Sequence, residues 1–311
     1  MEFESMQTMM VKSSDVELYV EVHGNSEQSD KPTLLFLHGF PDSHNTWDYQ
    51  VDELQQHYQI VTFDMRGVGK STGSAQRKAY HMSNLMADIE TVINAVVGVN
   101  GQVHLVGHDW GSVIGWSFAT DPYYAQRILS FTSMSGPHLR LMLDWVKRNL
   151  LSTEPKRIAN ALRQGLFSWY VYLFNVPALP EWLFRQWGKT IWRQALLMNG
   201  VEAGDHYLQL SQKEVEKICL NAIGLYRDNP LDPPELPRLR SVHVPVQLII
   251  PADDNFVSDR LFEFYDEYVV NLTKHHISGK HWSHHSHRDR FNDLVKQFID
   301  DVEGLTLAQT A

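Results

Sequence analysis

Hydrophobic and polar positions change period several times along the chain, and each change marks an element. Residues 16–22 alternate apolar and polar side chains, the period of a half-buried strand. Three later runs, Thr33–Leu37, Gln59–Phe63 and residues 103–106, are short, almost continuously apolar and bounded by turn formers, the pattern of strands buried on both faces of a parallel sheet. Residues 84–97 instead put Leu85, Ile89, Val92, Ile93 and Val96 at helical spacing. Residues 127–134, 244–250 and Leu272–Ile277 read as further strands, with a closing helix over residues 288–302. Strands alternating with helices predict an α/β fold, a mostly parallel sheet flanked by helices. Between about residues 137 and 234 the pattern turns helical throughout and holds five of the nine tryptophans: Trp145, Trp169, Trp182, Trp187 and Trp192. This predicts a helical insertion, residues 138–232, in a core made of residues 1–137 and 233–311. Its exit, residues 229–237, carries Pro230, Pro233, Pro234 and Pro237 and suits a stiff connector.

Composition narrows the function classes. With 311 residues the chain can bury a large core unaided, and its single cysteine, Cys219, excludes an internal disulfide and suits a reducing compartment. A formal charge of −10, from 27 basic and 37 acidic side chains, disfavours nucleic acid or a phospholipid surface as partner. Residues 1–10 contain two glutamates and no apolar run of signal-peptide length, and no stretch is apolar enough to span a bilayer. A cytoplasmic, soluble protein is expected.

The chemistry concentrates in Gly107-His108-Asp109-Trp110-Gly111, directly after a predicted strand and before a helix. This is the Gly-x-nucleophile-x-Gly spacing of a nucleophile elbow, with aspartate at its centre. The bland alternative is an aspartate that merely caps the helix. A carboxylate attacking an acyl carbon gains little, whereas attack on a saturated electrophilic carbon gives a stable ester, which water must then cleave with help from a base. A histidine and a second carboxylate should therefore follow. Residues 253–254 after the sixth predicted strand supply Asp254, with Asp253 as rival, and the loop after the last strand supplies His281. His284, His285 and His287 carry no zinc spacing, read as surface residues, and no metal is expected. His38-Gly39-Phe40-Pro41 offers the N–H of Phe40, beside that of Trp110, as an oxyanion hole. Gly69-Lys70-Ser71 imitates the end of a phosphate-binding loop, but Asp64 stands where that motif needs glycine, so the loop is expected to be structural.

Taken together these motifs resemble the α/β-hydrolase superfamily and, within it, the epoxide hydrolases, over residues 11–302. Haloalkane dehalogenases usually have asparagine where Phe40 stands, and fluoroacetate dehalogenases arginine where Trp110 stands. The resemblance implies an α/β-hydrolase fold with an inserted helical cap domain, and hydrolysis of an epoxide to a vicinal diol through an ester on Asp109, with no cofactor. It implies two cap tyrosines that hold the epoxide oxygen, Tyr170 in Phe167-Ser168-Trp169-Tyr170 and Tyr226 in Leu225-Tyr226-Arg227-Asp228, with Tyr172 as the alternative to Tyr170. Trp110, Trp169, Tyr172 and Trp282 are the expected substrate contacts. The implied partners are a small apolar epoxide and water, in a detoxifying role, with a homodimer left open and no nucleic acid. A haloalkane or haloacid dehalogenase, and a ligand receptor without turnover, remain the alternatives. The chain departs from the family at Pro251, where glycine is common, and at Lys280, which separates Gly279 from His281.

Overall fold

The computed structural model describes residues 6–24, 31–230 and 232–310. Residues 1–5, half of the stretch searched for a leader, lie outside it, as does Leu231 in the proline-rich exit. The N-terminal part runs β1 (Gln7–Ser13), β2 (Val16–His23), β3 (Thr33–Leu37), α1 (Asp48–Leu54), β4 (Gln59–Phe63), α2 (Met82–Val97), β5 (Val103–His108), α3 (Trp110–Thr120) and β6 (Ile128–Met134). Five helices follow without a strand: α4 (Leu139–Leu150), α5 (Pro155–Phe167), α6 (Trp169–Phe174), α7 (Leu179–Met198) and α8 (Gln212–Asp228). The chain then returns as β7 (Val246–Pro251), β8 (Leu272–Ile277), α9 (Ser283–Ser286) and α10 (Arg288–Thr310).

Among the described residues eight strands form one sheet in the order β1-β2-β4-β3-β5-β6-β7-β8. The first two pairings are antiparallel and the rest parallel. The continuous apolar runs are explained by burial on both faces: in β3, Leu34 and Phe36 pack with Trp47, Val51 and Phe291 on one side, while Leu35 and Leu37 pack with Ile89 and Ile114 on the other. The strand at residues 16–22 is thus the second, not the first. Sequence pattern misses β1 because it is an edge strand burying only Val11 and Ser13, which leaves little alternation to detect.

The P-loop imitation is a turn wound around a buried carboxylate. Asp64 accepts the N–H of His44 (3.0 Å) and of Lys70 (2.7 Å), and Nδ1 of His44 lies 2.8 Å from it. Burial resists its ionisation, yet His44 holds its pKa below the usual carboxylate range.

The histidine-dense segment corrects the surface reading. His284 and His285 are buried, and only His287 is half-exposed. The His284 ring packs on Trp47 and His108, its Nε2 lies 3.0 Å from Thr46 Oγ1, and His285 Nδ1 lies 3.0 Å from Asp205. These partners are 80 or more positions away in sequence, so local pattern gives no sign of them.

Candidate active site

β5 ends at His108 and α3 begins at Trp110, so Asp109 occupies the bend. Its backbone adopts φ 51° and ψ −121°, which costs a residue with a Cβ about 1–3 kcal/mol. Two backbone bonds hold it there: its N–H donates to the Met134 carbonyl (3.0 Å) and its carbonyl accepts from Val113 (2.9 Å). Two glycines make the space. A Cβ on Gly39 would lie 2.5 Å from the Asp109 Cβ, and one on Gly111 would lie 2.1 Å from the Leu37 carbonyl oxygen. Asp109 does not cap α3 through its side chain, which disposes of the bland reading. Instead Oδ1 accepts the Phe40 N–H at 2.7 Å. The Trp110 N–H, the second expected donor, is not engaged on the carboxylate.

The loop after β8 brings His281 to the other carboxylate oxygen, with Nε2 3.5 Å from Asp109 Oδ2. Its Nδ1 donates to Asp254, 3.0 Å from Oδ2 and 3.1 Å from Oδ1. Asp254 also accepts the N–H groups of Phe256 (2.8 Å) and Val257 (3.1 Å), while Asp253 is exposed and its N–H donates to the Gly279 carbonyl. Burial alone would lower the basicity of His281. The charge of Asp254, with Asp109 behind it, outweighs burial and pushes the pKa up to about 10. Burial opposes ionisation of Asp254 too, but His281 and the two amides hold its pKa below the ordinary range. Both departures noted in the sequence are accommodated: Pro251 closes β7 opposite Ile277, and the Lys280 ammonium donates to the Met198 carbonyl at the end of α7.

Across from Asp109 stand Tyr170 on α6 and Tyr226 on α8, their rings 5.8 Å apart and nearly perpendicular. Burial, with the charge of Asp109 added, raises the pKa of both phenols, so they are neutral hydrogen-bond donors. Two apolar cavities, about 370 Å³ and 310 Å³, meet at Asp109, Tyr170, Tyr226 and Phe256. Trp169 and Trp282 border the first, Trp110 and Tyr172 the second. Of the insertion's five tryptophans, Trp145 and Trp192 are core and Trp169, Trp182 and Trp187 are exposed, so only Trp169 and Trp192 reach a cavity. Among the described residues no group of three or more His, Cys, Asp or Glu could hold a metal ion.

Three supporting residues escaped the sequence reading. Asp42, fully buried, accepts the Tyr207 hydroxyl (3.0 Å) and the Trp282 indole N–H (3.0 Å). His108 Nε2 lies 3.0 Å from the His281 carbonyl; a carbonyl only accepts, so Nε2 carries the proton. The Phe256 ring packs edge-on against His281 at 4.9 Å. Each lies within two positions of a motif residue, which was the available signal.

The family model for the alpha/beta hydrolase fold matches residues 32–288. A Mycobacterium tuberculosis protein named "Probable oxidoreductase EphD" is 32% identical over 303 residues, covering 95% of this chain and 50% of its own length. The chain thus spans about half of that relative. Mouse "Epoxide hydrolase 4" is 26% identical over 286 residues, covering 87% of this chain and 74% of its own. A solved mutant epoxide hydrolase from Bacillus megaterium, complexed with its product (R)-3-[1]naphthyloxy-propane-1,2-diol, superposes with a TM-score of 0.75 at 22% identity, covering 94% of this chain and 100% of its own. With the matched family region spanning the sheet from β3 to β8, the elbow and the His281 loop, the chain belongs to the alpha/beta hydrolase fold family.

Proposed function

We propose that this chain hydrolyses apolar epoxides to vicinal diols. One observation carries the reading: two neutral phenols, Tyr170 and Tyr226, share the walls of both cavities with a carboxylate that is itself 3.5 Å from a histidine. An alkoxide leaves badly unless it is hydrogen-bonded or protonated, and paired phenols meet that need. The likeness to relatives named epoxide hydrolase supports it. The helices of residues 138–232 act as the cap over the core in this reading.

In the first half-reaction Asp109 Oδ2 attacks a ring carbon. The C–O bond breaks, its electron pair goes to the oxygen, and Tyr170 and Tyr226 donate hydrogen bonds to that oxygen until one of the phenols gives it a proton, leaving a phenolate that the proton released by His281 then restores. Oδ1, held by Phe40, becomes the ester carbonyl oxygen. Esterification removes the charge of Asp109 and with it one cause of the raised His281 basicity, so His281 more readily gives up its proton and can serve as base. It then takes a proton from water, whose oxygen attacks the Asp109 carboxyl carbon. The Phe40 N–H stabilises the oxyanion on Oδ1, and Asp254 stabilises the imidazolium. Collapse sends the imidazolium's proton to the departing alkoxide oxygen, which leaves as the diol, while the remaining carboxyl proton of Asp109 passes to His281 and restores the carboxylate–imidazolium pair. Trp110, Trp169, Tyr172 and Trp282 contact the substrate's apolar parts.

A single turnover in ¹⁸O-water tests this. Label is expected in the Asp109 carboxyl and absent from the diol, as read by peptide mass spectrometry. Label in the diol alone means water attacked the ring directly and overturns the reading, and release of halide from haloalkanes without diol formation from epoxides assigns the site to a dehalogenase.

A further inference from the structure

The charge of −10 is not spread evenly. Residues 139–198 hold nine Lys or Arg against three Asp or Glu, so the segment forming α4 to α7 is cationic in an otherwise strongly acidic chain. On α5 to α7 the exposed side chains are also unusually apolar. Leu162, Leu166 (73% exposed) and Trp169 (60%) follow one another at helical spacing. Trp182 packs edge-on against Trp187 at 5.1 Å, both about half exposed, and Ile191 follows one turn later. Trp169 and Ile191 border the same cavity, which joins the two stripes into one face. Lys156, Arg163 and Arg185 stand exposed beside it; among the described residues Lys156 and Arg163 form no ion pair, and Arg185 interacts with Glu181, whose carboxyl is chiefly held by Arg227. The face therefore combines large apolar rings, basic side chains and the rim of an apolar cavity.

We infer that the outer face of α5, α6 and α7 docks on an anionic lipid surface, with the rim of the first cavity turned towards the bilayer. Exposed Trp and Leu interleaved with Lys and Arg are what a helix face needs to sit among headgroups, where rings enter the acyl boundary and ammonium or guanidinium groups pair with phosphates. The acidic remainder of the chain is repelled by the same surface, so the charge distribution also selects the orientation. That distribution reverses, for this one face, the conclusion drawn from net charge. A second copy of the chain fits less well, since pairing this face with itself would set its cations against each other. The inference does not depend on the reaction at Asp109.

Cosedimentation of the full chain with vesicles of phosphatidylcholine, with and without phosphatidylglycerol, is the test. Binding is expected to the anionic vesicles, to fall with salt, and to weaken by about tenfold or more in Leu166→Ser/Trp182→Ser and in Lys156→Glu/Arg163→Glu/Arg185→Glu. None of these positions borders either cavity, so melting temperature and turnover of a water-soluble substrate should match the parent. No vesicle binding, or equal binding to neutral and anionic vesicles, overturns the inference. So does a dimer in solution that the Leu166→Ser/Trp182→Ser pair dissociates without any effect on lipid, because the face then belongs to a second copy.

Discussion

The two halves of the candidate site are built by different means. At the ends of β3, β5 and β7, the backbone does the positioning: Asp109 is held through Met134 and Val113, its Oδ1 by the Phe40 N–H, and Asp254 by the amides of Phe256 and Val257. In the helical segment, rings position rings. Tyr226 meets Phe40, Trp110, Phe174 and Tyr170 edge-on or tilted, while Tyr170 packs on Phe174 and Phe256 from α6, six residues long and without a side-chain cap at its start. Backbone bonds survive most side-chain changes nearby, whereas an aromatic cluster shifts whenever one member changes size. In the proposed mechanism the carboxylate and the His281–Asp254 pair are thus fixed, and the phenols facing them are adjustable.

The largest expected effect sharpens that division. His281→Gln should lower steady-state turnover by roughly 10³-fold while leaving ring opening intact, so that protein carrying the mass of one substrate accumulates. Mass spectrometry of the intact chain reads it, and full turnover without accumulated ester breaks the assignment. Next come Tyr170→Phe and Tyr226→Phe. Each is expected to slow ring opening by about 10²-fold in single-turnover experiments, with ester hydrolysis unchanged, and the double variant should lose far more. If one of them slows hydrolysis as much as ring opening, the division of labour between the two regions fails. The smallest effect concerns pH. The folded-state pKa of His281, about 10, lies above the ordinary 6.5, so its ion pairing stabilises the fold fully below pH 6.5 and is lost as pH rises towards 10. His44, pushed up to about 9 by Asp64 and Glu21 against the effect of burial, adds a loss of the same sign. The informative quantity is therefore the difference between parent and His281→Gln melting temperatures, which should narrow between pH 6.5 and 10. A constant difference would mean that His281 is not held charged.

Sequence reading reached one region better than the other for the same physical reason. Strand ends announce themselves through burial and turn formers, so Asp109, Asp254 and His281 could be placed in loops at one edge of the sheet, and the structure brings all three together. It also separates Asp254 from Asp253 by contact, which spacing could not do. Tyr170 and Tyr172 differ by two positions on one short helix and had similar local surroundings. Only the packed structure separates them, putting Tyr170 beside Asp109 at both cavities and leaving Tyr172 71% exposed at the second. The buried histidines and Asp42 were illegible because their partners come from distant segments. The basic, apolar outer face was in the sequence throughout, concealed by a whole-chain charge that averages it away.

The two cavities that meet at Asp109 differ by only about two water volumes. A guest with arms of similar length on either side of its three-membered ring could be seated head-first or tail-first with little steric preference. Which of the two ring carbons is struck, and hence the handedness of the diol, would then rest on where the two phenolic hydroxyls lie relative to the carboxylate, not on the size of the compartments.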